Sequence, residues 1–163
     1  MRLLAYAKAN VLSSERICQG VYNNDMERSP KTYDLALLFA ALADRTRLRL
    51  LNLMNGTEVC VCYFVEILGQ SQPKISRHLA YLRRVSIVAA RREGKWMHYK
   101  ILVPENAGAA RILRETLAVI GQEKAMQVDL ARLGKACCAP QRVSALEGAP
   151  RPIPVDAVSC SAS

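Results

Sequence analysis

Ser71-Gln72-Pro73-Lys74-Ile75-Ser76-Arg77-His78-Leu79-Ala80-Tyr81-Leu82-Arg83-Arg84 decides the reading of this chain. Ser71 suits an N-cap, and Pro73 is tolerated in a first helical turn. At about 100° per residue, Ile75, Leu79 and Leu82 share one face, which must pack inward. Arg77, Ala80, Tyr81 and Arg84 point away from it, with Lys74 and Ser76 on the flanks. His78 falls near the edge of the apolar face, where a phosphate contact and a structural hydrogen bond suit it equally.

Outward from this helix the pattern is equally punctuated. Upstream, Gly69-Gln70 gives a tight turn after a short helix over about Cys62–Leu68. Asp44 reads as the N-cap of a helix through Leu48, Leu51 and Met54 that Gly56 stops. Leu35, Leu38, Phe39 and Leu42 recur at helical spacing before it. Downstream, two short strands flank Arg92-Glu93-Gly94-Lys95; in the second, Met97, Tyr99 and Ile101 alternate with Trp96, His98 and Lys100. After Pro104 one long helix carries Leu113, Leu117, Ile120, Met126, Leu130 and Leu133 and ends at Gly134. Helix–turn–helix, hairpin and closing helix together predict a mainly α (α+β) winged helix-turn-helix with a β-hairpin wing.

The domain therefore spans 33–134. Residues 1–32, broken by Asn23-Asn24-Asp25 and Ser29-Pro30, read as a weakly structured extension. Residues 135–163, with Pro150, Pro152 and Pro154, read as a flexible tail carrying the vicinal pair Cys137-Cys138. There is no internal repeat.

The 163 residues carry 23 Lys and Arg against 14 Asp and Glu, a formal charge of +9. Seven of those nine units lie between Gln72 and Lys100, where Lys74, Arg77, Arg83, Arg84, Arg91, Arg92, Lys95 and Lys100 face only Glu93. A surplus concentrated on one helix and its hairpin implies double-stranded DNA rather than an acidic membrane. Ser71, Gln72, Lys74, Ser76 and Arg77, near the helix start, are placed for base edges and nearby phosphates, with His78 beside them. Arg91, Arg92 and Lys95 on the wing are placed for backbone or minor groove. No apolar run reaches the length of a membrane span, and Lys8 interrupts any secretory leader, so a cytoplasmic protein is expected.

With only His78 and His98 in the chain, a histidine-rich metal site is excluded. The six cysteines, at 18, 60, 62, 137, 138 and 160, then read as soft-metal or redox groups rather than staples. Cys60 and Cys62 stand at the entry to the third helix. In a continuous helix, i and i+2 lie about 200° apart and cannot grip one ion; in an extended start they lie on one side. Joint chelation thus requires a non-helical start, next to the DNA-reading helix. Burial as small core hydrophobes is the alternative. Cys137-Cys138 supplies spare donors; Cys18 and Cys160 are weaker candidates.

Four stretches in order resemble the ArsR/SmtB family of metal-responsive winged-helix repressors over about 33–103. They are Leu42-Ala43-Asp44-Arg45-Thr46-Arg47-Leu48, Glu58-Val59-Cys60-Val61-Cys62, Ser71 to Leu79, and Arg92-Glu93-Gly94-Lys95. The Glu-Val-Cys-Val-Cys version is similar to the arsenic- and antimony-sensing branch, and also to the cadmium- and lead-sensing one. The resemblance implies a homodimer joined through its first and last helices. It also implies operator binding by the apo-protein and release by As(III) or Sb(III) as inducer. A third cysteine found in the best-known arsenic sensors is replaced here by Val65, so a further thiolate must come from Cys137 or Cys138, or from Cys18. Cd(II) or Pb(II) sensing and a thiol redox switch are the alternatives. The zinc-sensing branch's Asp-x-His pair is missing, since no histidine follows His98. Enzyme chemistry is disfavoured, because no Gly-rich anion cradle surrounds any cysteine.

Overall fold

The structure, a computed structural model, describes residues 33–138 and 146–155. Short polar side chains start the helices. Asp34 accepts from Leu37 N (3.0 Å) at the head of α1 (Leu35–Leu42), and Asp44 from Arg47 N (2.9 Å) at the head of α2 (Arg45–Leu53). Arg47 also closes the preceding helix, donating to Ala41 O (2.7 Å) and Ala40 O (2.6 Å).

Strand β1 (Thr57–Cys60) leads straight into α3 (Val61–Leu68). Gly69, at φ +61°, donates to Val65 O and turns the chain toward α4 (Gln72–Arg84). Ser71 takes the N-cap conformation, but its side chain makes no capping hydrogen bond. Strands β2 (Val88–Glu93) and β3 (Trp96–Ile101) form the hairpin, turning at Gly94 with φ +56°. The strand order is β2-β3-β1-β4, all neighbours antiparallel. Leu38, Leu50, Leu51, Phe64, Ile75, Leu79, Leu82 and Ile87 fill the core beneath, all fully buried. Helix–turn–helix plus wing is the expected architecture.

Three expectations change. The long helix after Pro104 is two helices, α5 (Ala107–Ile120) and α6 (Lys124–Cys138). Leu113 and Ile120 share a phase that would next bring Gln127 inward, whereas Met126 and Leu133 are the buried positions. The one-residue slip is accommodated at Gly121-Gln122-Glu123 by tight turns, and Leu130, expected inside, is exposed. Secondly, the last helix passes through Gly134 to Cys138. Gly134 has no left-handed φ to end it, and Ala136 and Cys137 beyond it pack against the core. Thirdly, the stretch read as a flexible tail supplies β4 (Ile153–Pro154), which pairs with Thr57 and Glu58 of β1. Val155 N donates to Gly56 O (3.0 Å), and Leu146 is fully buried. Burial of Leu146 and the open edge of β1 hold this segment, against its proline content.

Candidate nucleic-acid interface and thiol site

The reading helix presents its start to solvent. Ser71, Gln72, Lys74 and Arg77 are exposed and Ser76 is half-buried, while Ile75, Leu79 and Leu82 fix the helix from beneath. α4 packs on both α2 and α3, which sets its angle. His78 has turned toward α2: its Nδ1 lies 3.4 Å from Asp44 Oδ1. Burial pushes its pKa below the ordinary value, and Asp44 offsets only part of that, so a neutral imidazole is favoured at pH 7. Tyr81 is not simply outward; its ring is half-buried between the guanidiniums of Arg47 (4.5 Å) and Arg84 (4.7 Å).

On the wing, Arg92 Nε donates to Gly94 O (3.0 Å), and Lys95 lies over the Trp96 ring (4.8 Å). Both stay exposed. Arg91 differs. Its Nη2 (2.6 Å) and Nε (3.0 Å) both donate to Glu58 Oε1, and its Nη1 donates to Glu93 Oε2 (2.7 Å).

The thiol pair has the non-helical start that joint chelation requires. Cys60 closes β1 and stands at the N-cap of α3 with extended backbone (φ −70°, ψ 145°). Cys62 lies in the first turn, and its thiol donates to Cys60 Sγ across 3.0 Å. That bond is the chief cause pulling the Cys60 thiol down to about 7; the backbone around Met97 and Val61 helps, and burial opposes. Cys62 is pushed well up, because its proton is held by Cys60 and its own burial adds to the effect. The two sulfurs thus share one readily lost proton and one tightly held one. The alternative of two inert core thiols fits Cys60's burial but not this pairing.

The other candidates are not gathered here. Cys137 is half-buried on the core side of α6, and Cys138 is exposed. Among the described residues, no three His, Cys, Asp or Glu side chains are grouped to hold a metal ion. Cys18 and Cys160 lie outside the described residues. Tyr63, fully buried with a hydroxyl lacking a hydrogen-bond partner among them, feels the charges of Cys137, Cys62 and Cys60, which raise its pKa after burial itself.

Sequence reasoning missed three residues around this site. Glu58 is buried beside the wing, and His98 is fully buried in register with Cys60. Asp129, at 1% exposure, takes Arg49 in a two-pronged ion pair that ties α2 to α6. A strand reading of Thr57–Cys60 would have set Glu58 on one face with Cys60, whereas His98 joins them only through strand register. No helix in the described residues is long and apolar enough to cross a membrane.

Residues 44–90 match the family described as "Bacterial regulatory protein, arsR family". The chain is 48% identical over 79 residues to an arsenical resistance operon repressor of Escherichia coli (strain K12), covering 48% of this chain and 68% of that protein. It is 47% identical over 66 residues to the arsenic resistance transcriptional regulator ArsR1 of Pseudomonas putida, spanning 40% of this chain and 52% of that one. The solved structure of the AntR antimony-specific transcriptional repressor aligns with a TM-score of 0.44 at 29% identity, over 62% of this chain and 89% of that chain.

Proposed function

The chain belongs to the arsR family of bacterial regulatory proteins, winged-helix regulators rather than enzymes, and from that premise we propose a transcriptional repressor that releases operator DNA when As(III) or Sb(III) binds Cys60 and Cys62. The single observation that carries this is the 3.0 Å sulfur pair at the head of α3, the helix packed against the reading helix. A ligand drawing both sulfurs around one centre must rebuild the junction of β1 and α3. The change passes to α4 through their shared core, which has few alternative packings.

In the DNA-bound state, Gln72, Lys74, Ser76 and Arg77 face the major groove, with Ser71 at the helix entrance and Arg92 and Lys95 reaching the flanking backbone. His78 stays with Asp44 as a structural partner. The third thiolate is Cys137, since α6 packs on α3 and the Cys137 side chain faces the core. Cys138 and Cys18 are the alternatives. The working unit is a homodimer in the cytoplasm. Exposed Leu35 and Phe39 on α1, Val119 on α5 and Val128 and Leu130 on α6 support a helical interface. Sedimentation at micromolar protein checks this; a monomer that binds operator fully refutes it.

The test of the central claim is an arsenite titration of the protein on an operator duplex selected from a random pool, followed by fluorescence anisotropy. Wild type is released, and Cys60→Ser and Cys62→Ser stay bound. Unchanged wild-type binding overturns the reading. The low Cys60 thiol also favours a redox regulator, for which peroxide in metal-free buffer would release DNA as arsenite does. Cadmium or lead sensing would show as release by those ions with loss of response in Cys18→Ser.

A further inference from the structure

Three strands place one polar row across the sheet, running from the thiol pair to the wing. Cys60 pairs with His98 on β3, and His98 pairs with Arg91 on β2. Directly opposed residues share a face of an antiparallel sheet, as do positions i and i+2 within one strand. Glu58, Cys60, His98, Arg91 and Glu93 therefore lie on the same face. Glu58 is 8% exposed and takes both Nε and Nη2 of Arg91 on a single oxygen. His98 is fully buried among them. Its Nδ1 is 3.8 Å from Glu58 Oε1, its Nε2 is 3.8 Å from Glu93 Oε2, and neither nitrogen has a hydrogen-bond partner among the described residues.

We propose that the Glu58–Arg91 ion pair couples the thiol site to the wing, making Arg91 a positioning residue for release rather than a phosphate contact. The inference rests on the reading of Cys60 and Cys62 as the inducer site. Three of the five guanidinium N–H groups of Arg91 are already committed to two carboxylates, which leaves little charge to offer DNA. The same commitment gives the wing a mechanical tie. Glu58 stands two residues before Cys60, so a rearrangement at the end of β1 moves its carboxylate. Parting Glu58 from Arg91 would leave a buried charge without its partner, so β2 follows β1. Arg92 immediately follows Arg91, and Lys95 lies across the turn from it. A shift in β2 therefore moves the two cations that face the flanking DNA. His98 fills the gap between the two carboxylates and keeps water from substituting for the pair.

The test is a double-mutant cycle on the full chain, with Glu58→Gln, Arg91→Gln and their combination, read by anisotropy on the selected operator duplex with and without arsenite. The expected result is that each single variant takes up arsenite normally, followed by sulfur-to-arsenic absorbance. Each loses about tenfold of the arsenite-induced drop in DNA affinity, within the usual range of coupling between sites. The double variant loses no more than either single one, because both remove the same link. Without arsenite the salt dependence of Arg91→Gln stays that of wild type. A slope shallower by about two, one for each subunit, would mark a lost phosphate contact and overturn the proposal. Full release of both single variants, or losses that add in the double variant, would overturn it as well. Arg91→Lys guards against misfolding at the buried carboxylate, since it keeps the charge but not the two-pronged bond; it too should lose coupling while binding DNA normally. If arsenite fails to release wild type, the inducer reading itself falls, and that is seen before any variant is compared.

Discussion

The Cys62 thiol sits 3.0 Å from the Cys60 sulfur, and the two straddle the point where a strand ends and a helix begins. The donor is a thiol that keeps its proton; the acceptor is a thiol that loses it near pH 7. Ultraviolet thiolate absorbance, taken as the difference between wild type and Cys60→Ser, should rise with pH about a midpoint near 7. Cys62→Ala removes the donor, so the midpoint should climb toward the ordinary thiol value, about 8.5. A midpoint that ignores Cys62→Ala would remove the hydrogen bond as its cause.

The two distal thiols should separate cleanly. Cys137 is half-buried against the core and Cys138 is exposed. Cys137→Ser is expected to weaken arsenite binding by at least tenfold, and Cys138→Ser to leave it within about twofold, each tenfold being about 1.4 kcal/mol. Calorimetric titration with arsenite distinguishes them; equal effects would point to the vicinal pair acting as a unit.

On the reading helix, Lys74→Gln and Arg77→Gln should each flatten the log–log salt dependence of operator binding by about two, one for each subunit of the dimer, and weaken all sequences alike. Gln72→Ala should instead relax base preference at one position by about 1–3 kcal/mol. Competition with single-base operator variants reads the difference.

Much of this arrangement is legible in the sequence, for identifiable reasons. Ile75, Leu79 and Leu82 keep one phase without interruption, so the reading helix and its exposed face follow from periodicity alone. The caps at Asp44 and Gly69 are local chemistry and are equally readable. The polar row is not, because Glu58, His98 and Arg91 are 40 and 7 positions apart in successive pairs and meet only through strand register. The split after Ile120 is written in Gly121 and in the phase slip between Ile120 and Met126, but helix-forming residues resume at once from Gln122 and mask it. For Cys137, the sequence marks an end at Gly134, and only the apolar contacts of Ala136 and Cys137 carry the helix past it.

Asp129 should prove expensive to remove. It is 1% exposed and accepts from Arg49 Nε (2.6 Å) and Nη2 (2.8 Å), and next to it Asn52 donates to Met126 O (3.0 Å). Asp129→Ala leaves Arg49 partly buried without its partner and should cost about 3 kcal/mol in urea unfolding. Arg49→Met with Asp129→Leu should recover most of it, since the pair is then replaced by packing.

Asp44 serves two partners, capping α2 through Arg47 N and standing 3.4 Å from His78. Asp44→Ala should destabilise by about 1–2 kcal/mol from the cap alone. It should also lower the His78 pKa further below its ordinary value, because the raising carboxylate is gone while burial remains. A histidine depressed in the folded state is protonated more readily on unfolding, so its contribution to stability is intact above about pH 6.5 and is lost as the pH falls. The substitution should make that acid loss set in more steeply, read by His78 NMR titration and unfolding at pH 5 and 7.

The outer margin of the sheet has a consequence for handling the protein. Ile153–Pro154 lies along β1, and a proline offers no N–H to a further strand, so the sheet terminates there. A version trimmed before Leu146 would strip that cover and leave the backbone of Thr57 and Glu58 as a ready template, two residues from a reactive sulfur. Such a version should stick to itself edge to edge, so a shortened preparation would report precipitation that belongs to the cut rather than to the regulator.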